Sequence, residues 1–171
     1  MPFSESLLPE FDQEMKNTRK LLECVPDGKF DYKPHPKSMT LGRLATHVAE
    51  LPSWTTFTLD REVLEMNGDF KPTIAATRAE LLQMLDKNVA EAREKIAAAT
   101  DEEWSKMWTF KFGGKTIMSM PRSAVMRGTI MNHLVHHRAQ LGVFLRLNEV
   151  EIPGMYGPSA DEQKFWEAQS A

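Results

Sequence analysis

Ile130-Met131-Asn132-His133-Leu134-Val135-His136-His137-Arg138-Ala139-Gln140-Leu141 is the stretch whose reading decides the fold. Met126, Ile130, His133, His137, Gln140, Leu141 and Phe144 fall on one inner face at steps of three to four, the period of an amphipathic helix. Pro121 suits the first turn of that helix, where its missing N–H would have no partner anyway. The stretch therefore predicts a long helix from about Pro121 to Leu147 with two histidines in its inner stripe.

Working outward, three more helices emerge. Leu8, Phe11, Met15, Thr18 and Leu22 step by 3, 4, 3, 4, and the turn signal Pro26-Asp27-Gly28 ends that run. Pro34 and Pro36 forbid a helix interior between them. A second helix starts after Ser38 or Thr40 as cap and buries Leu44, His47, Leu51 and Trp54, with a kink or break at Pro52. A third opens at the capping box Thr77-Arg78-Ala79-Glu80 and carries Leu82, Leu85, Val89, Ala92, Ile96 and Ala99. Thr100-Asp101-Glu102-Glu103 repeats the box and predicts a short extra turn.

Trp108-Thr109-Phe110-Lys111-Phe112 alternates with period two, and Gly113-Gly114 suits a tight turn before Thr116-Ile117-Met118. This predicts a small hairpin or irregular loop before the last long helix. The segment 152–158 reads as a loop, and Ser159-Ala160-Asp161-Glu162 caps a last short helix carrying Phe165 and Trp166. The expected fold is all-α, a four-helix bundle with crossover connections over a single domain, 1–171.

Composition narrows the function classes. The chain has 171 residues, 42% hydrophobic, enough for a core. No apolar run approaches the length of a membrane span, and Met1-Pro2-Phe3-Ser4-Glu5 has no signal-peptide character. The lone Cys24 suits a reducing cytoplasm and reads as a small packed residue. A net charge of −3 argues against nucleic-acid binding. Yet the segment from Trp104 to Asn148 holds no Asp or Glu while carrying Lys106, Lys111, Lys115, Arg122, Arg127, Arg138 and Arg146. Such a basic face either pairs with acidic helices elsewhere or attracts a small anionic substrate. The 11 methionines read as core filler rather than a soft metal site.

His133 and His137 lie one helical turn apart, and His47 lies between Leu44 and Leu51 on another apolar face. A buried imidazole needs partners for both ring nitrogens, and three together are costly without them. A shared divalent cation resolves this, so His47, His133 and His137 form a candidate metal site. His136 is a flanking alternative, and His35, in the proline-rich loop, reads as surface.

The run H-x-x-x-H-R-x-Q at 133–140, Leu41-Gly42-Arg43-Leu44-Ala45-Thr46-His47 upstream, and the tail with Tyr156-Gly157-Pro158-Ser159 resemble the DinB/YfiT-like family. The resemblance spans the second helix to the tail. It implies a four-helix bundle holding a divalent metal through three His, by position His47, His133 and His137. It also implies a homodimer and thiol-dependent transferase or isomerase chemistry with a low-molecular-weight thiol. His136, beside the motif, departs from a clean pair.

Three neutral ligands leave an ion's charge uncompensated and a coordination position open, the pattern of catalytic sites. Such an ion activates water or a thiol, and Zn, Ni or Fe suit the donors. Glu50, three residues after His47, and Gln140, one turn past His137, are the candidate catalytic groups; solvated or purely structural roles are the alternatives. Arg138 projects off the His face and reads as a surface or dimer contact, while Tyr156 and Trp54 line a pocket or pack. The competing functional readings are a non-catalytic metal-binding stress protein and a metal-free helical binding module.

Overall fold

In a computed structural model describing residues 1–69 and 71–162, helix α1 spans Phe3–Glu23, α2 Leu41–Glu50 and α3 Ser53–Asp60. Strand β1 (Val63–Met66) precedes α4 (Arg78–Ala98) and the short α5 (Asp101–Ser105). Strands β2 (Met107–Phe112) and β3 (Lys115–Pro121) then lead into a continuous helical rod. The rod consists of α6 (Arg122–Ala124), a π-helical stretch (Val125–Asn132) and α7 (His133–Arg146). None of the helices among the described residues is long and apolar enough to cross a membrane.

Local chemistry sets these boundaries. Thr40 caps α2 by accepting from the Arg43 N–H, and Pro52 falls in the two-residue gap that separates α2 from α3. Thr77 caps α4 through Glu80 N–H, but the Glu80 carboxylate accepts from Ala76 rather than from Thr77. At α5 the capping box is complete: Thr100 and Glu103 each satisfy the other's backbone N–H. Gly42 is required where α2 meets the preceding loop, since a Cβ there would lie 2.6 Å from Phe30 Cδ1. Ser159 and Glu162 bond reciprocally across 159–162. The short helix expected to carry Phe165 and Trp166 lies outside the described residues.

The expected all-α bundle is corrected. About 60% of the chain is helical, but a three-stranded mixed sheet of order β1-β2-β3 packs on the helices. The hairpin forms as the alternation suggested, turning through Gly113 (φ 54°) and Gly114 (φ 78°), the left-handed pair that matches strand twist. The unexpected element is β1, which runs parallel to β2 from Val63↔Thr109 to Met66↔Phe112. Its partner lies far along the chain, and four residues carry too little pattern to announce a strand. Leu64, Phe110, Met118 and Met120 face the core around the buried Trp108. The Trp108 indole donates to Phe57 O at 3.3 Å and ties the sheet to α3.

Both α1 and α2 have α4 and α7 as main neighbours. The link 24–40 therefore crosses one end of the bundle rather than joining adjacent helices. Two apolar clusters fill the interior. One gathers Phe11, Met15, Ile96, Trp104, Trp108 and Leu134; the other gathers Leu22, Leu44, Val48, Leu85, Leu141 and Leu145. Between them on α1 and α7 runs a polar layer of Glu14, Thr18 and Arg138.

The π stretch changes which residues face that interior. The buried series is Met126, Ile130, Leu134, Arg138, Leu141 and Leu145, with three successive steps of four. A π turn takes up one residue more than an α turn. The core stripe therefore advances by one position beyond Ile130. Leu134 and Arg138 enter the core, while His133 and His137 turn half-buried toward α2.

This overturns the surface reading of Arg138, which is 2% exposed. Its guanidinium pairs with Glu14 Oε2 at 2.6 Å and donates to Glu14 O, Thr18 Oγ1 and the Tyr156 hydroxyl. Arg127 also pairs with α1, at Glu10, and Arg146 pairs with Asp161. Three of the seven basic residues of the acid-free segment, Arg127, Arg138 and Arg146, are thus paired with carboxylates within the fold.

Candidate functional site

His47 on α2 and His133 and His137 on α7 come together where the two helices pack. Each offers one ring nitrogen, and these three atoms lie within 4.8 Å of one another. Ring centroids are 5.1 Å apart for His47 and His133, 4.7 Å for His47 and His137, and 4.6 Å for His133 and His137. His136 is exposed on the flank of α7, and His35 accepts from Lys37 N–H in its loop.

The outer ring nitrogens decide what the inner ones can do. His133 Nδ1 lies 3.2 Å from Thr129 O, and a carbonyl can only accept, so Nδ1 carries the proton. In an α-helix that carbonyl would be bonded by the His133 backbone N–H, four residues on. Here the backbone N–H turns to Ile130 O instead, at the end of the π stretch. His137 Nδ1 donates to Gln140 Oε1 at 2.8 Å. His47 Nδ1 faces Glu50 Oε2 at 3.8 Å, an electrostatic contact longer than a hydrogen bond, and the carboxylate favours a proton on that nitrogen. His133 and His137 therefore each present an unprotonated Nε2 inward.

His47 Nε2 and His133 Nε2 are 3.4 Å apart, within hydrogen-bond reach. When His47 Nε2 carries a proton it donates to His133 Nε2, so a single hydrogen bond can join the pair in the metal-free protein. A cation between the rings would take the place of that proton. In a tetrahedral zinc site with Zn–N near 2.0–2.1 Å, neighbouring nitrogens are about 3.3–3.4 Å apart, and one edge of the triad already has that spacing.

Electrostatics disfavours charge on His133 and His137. Burial lowers the His133 pKa, and the neighbouring His47 lowers it further against the bond to Thr129. Burial likewise pushes His137 down to about 4, with the Gln140 bond opposing and the other histidines adding to the fall. Glu50 is raised by burial, but contacts with His47 and Arg43 outweigh this and leave it below the ordinary carboxylate value. Arg43 Nη1 binds Glu50 Oε2 at 2.9 Å and holds the carboxylate in place.

The depressed His137 gives a signed expectation. Below about pH 6.5 the unfolded chain takes up a proton that the folded one refuses, so the metal-free fold weakens as pH falls from about 6.5 to about 4. Urea midpoints of chelator-treated protein will fall over that window, and less steeply in His137→Gln. Parallel profiles for the two proteins would refute this.

The sequence-predicted residues thus divide. His47, His133 and His137 converge, and Glu50 and Gln140 stand behind two of them as acceptors. Gln140 is exposed rather than a buried polar partner. Trp54 does line a pocket, with Glu50 and Phe57, whereas Tyr156 lines a separate groove on the other side of α7. The Cys24 thiol donates to Lys20 O, and burial raises its pKa, the opposite of an activated nucleophile. Sequence reasoning missed Thr129, whose carbonyl orients His133; its position four residues before that histidine was the available signal.

The sequence profile of the DinB family matches residues 1–169. The uncharacterized protein YrdA of Bacillus subtilis is 23% identical over 158 residues, covering 92% of this chain and 90% of YrdA. A crystal structure of a DinB-like protein from Bacillus cereus superposes with a TM-score of 0.71 at 24% identity, over 91% of this chain and 98% of that one. The DinB-like protein YjoA of Bacillus subtilis gives 0.66 at 16% identity, over 88% and 97%. These structural likenesses establish a shared fold.

Proposed function

The chain belongs to the DinB family, and from that premise we propose that it is a divalent-metal enzyme whose ion is held by His47, His133 and His137. The carrying observation is the convergence of three ring nitrogens, from His47, His133 and His137, within 4.8 Å of one another. The three imidazoles fit Zn, Ni or Fe, and such an ion supplies Lewis acidity that activates a low-molecular-weight thiol or water.

The protein's own groups have defined tasks. Thr129 O and Gln140 Oε1 fix the His133 and His137 tautomers and aim their Nε2 atoms inward. Glu50 orients His47 and stays ionised through Arg43, so it is available to accept a proton from an incoming thiol or water. The reaction class favoured by the family resemblance is thiol transfer or isomerisation, with hydrolysis as the variant that uses water.

Replacing the outer partners tests the arrangement. Glu50→Gln and Gln140→Ala will each weaken metal affinity about 10- to 100-fold without unfolding the protein. Activity is tested with zinc-loaded protein, a small thiol and an electrophilic aryl halide or, without thiol, an activated ester. Consumption that exceeds the metal-free control and disappears in Glu50→Gln supports catalysis. Rates equal to the control for both substrate pairs would leave a metal-binding protein without this chemistry.

A further inference from the structure

A second feature adjoins the histidine cluster. His47, Glu50, Trp54 and Phe57 are spaced 3, 4, 3 along α2 and α3 despite the break at Pro52, and Arg61, the extended residue that ends α3, follows them. The last four of these residues line a pocket of about 370 Å³ whose opposite wall includes Leu64 and Met66 of β1. That size lies at the lower end of small-molecule sites. The strand that departs from a plain helical bundle is therefore a wall of this pocket.

The two charged groups of the pocket differ in what they leave free. Glu50 is engaged by Arg43 and faces His47. Arg61 has its guanidinium 5.2 Å from the Phe57 ring centroid, and among the described residues no carboxylate pairs with it. Stacking on Phe57 holds the planar cation in place while leaving N–H donors for a ligand. The remaining lining is chiefly apolar and aromatic.

We propose that this pocket is the substrate-binding site and that it takes a small carboxylate with an aromatic or branched apolar body. The carboxylate pairs with Arg61, and the apolar body lies between Trp54, Phe57, Leu64 and Met66. The uncharged end reaches Glu50 and, beside it, His47. The negative charge of Glu50 sets this orientation, because a second anion at that end would be repelled. The assignment as substrate site rests on the metal-centre reading above; the carboxylate preference rests on Arg61.

The test is calorimetric titration of 3-phenylpropionate and its uncharged amide into metal-free and zinc-loaded protein, and into Arg61→Gln and His137→Ala. The expected result is a carboxylate bound at least about 10-fold more tightly than the amide, in line with a charge-assisted bond. This preference is lost in Arg61→Gln and kept in His137→Ala and in metal-free protein. Met66→Trp, which fills the pocket, weakens both ligands. Arg61 is exposed, so Arg61→Gln leaves the fold intact.

No binding of either ligand at millimolar concentration would overturn the proposal. A preference that survives Arg61→Gln but needs zinc would also overturn it while leaving the metal centre standing. An Arg61-dependent preference in a protein that holds no metal would do the reverse: the carboxylate pocket stands and the metalloenzyme reading falls.

Discussion

Arg138→Met lowers the stability of the fold by about 3–5 kcal/mol, the cost of leaving a buried charge without its partner. For a chain of this length that is a fall in Tm of roughly 6–20 °C. The Glu14 carboxylate would remain between the two apolar clusters, held only by the Tyr156 hydroxyl at 2.8 Å. Glu14→Leu strands the guanidinium instead and has a similar cost. The double variant Glu14→Leu/Arg138→Met recovers most of the loss, because a buried ion pair gains little over a well-packed apolar replacement. Tyr156→Phe removes two hydrogen bonds at the edge of the network, one to Glu14 and one from Arg138, and costs about 1–3 kcal/mol. Denaturant unfolding of chelator-treated proteins separates these effects from metal binding. Single variants within 1 kcal/mol of the parent would show that the polar layer does not hold α1 to α7 as described.

His137→Ala reduces metal affinity by at least about 100-fold, beyond the range for an outer partner. His136→Ala, one residue away and pointing to solvent, leaves it unchanged. The contrast depends on the helix face that each side chain occupies, not on the number of histidines in the segment. Competition against a chromophoric chelator measures both. Equal losses in the two variants would mean that the metal samples the surface of α7 rather than the cleft against α2. The same titration on His47→Ala tests the other helix, and a loss comparable to that of His137→Ala is expected.

Much of the architecture is legible in local sequence because the interactions responsible are local. Thr40, Thr77 and Thr100 mark helix starts through bonds three residues long, and Gly113-Gly114 supplies the paired positive φ that a tight two-residue hairpin turn favours. What escaped the sequence is non-local or depends on helix winding. The strand β1 exists because β2, far along the chain, offers it an edge. The burial of Arg138 needs Glu14, 124 positions away, and a core stripe shifted by a π turn that no hydrophobic period announces.

The histidine triad shows both sides. His133 and His137 are readable as a pair from their spacing, and His47 as a candidate from its apolar flanks. Their convergence is set by the packing of α2 on α7. Their half-exposure follows from the π stretch, which moves them off the core stripe and into the cleft. Glu50 and Gln140 were placed near the site by their spacing from the histidines, but their tasks depend on rotamers: one faces His47 Nδ1 and the other binds His137 Nδ1. The tautomers that follow for His133 and His137 aim two nitrogen lone pairs inward, toward His47.

X-ray absorption spectroscopy of tag-free protein loaded with one equivalent of zinc tests the central claim most directly. The expected spectrum has three imidazole nitrogens at about 2.0–2.1 Å and no sulfur neighbour. That spectrum should persist in His136→Ala and lose one imidazole in His47→Ala. A first coordination sphere with fewer than two imidazoles, or a spectrum indifferent to His47→Ala, would contradict it.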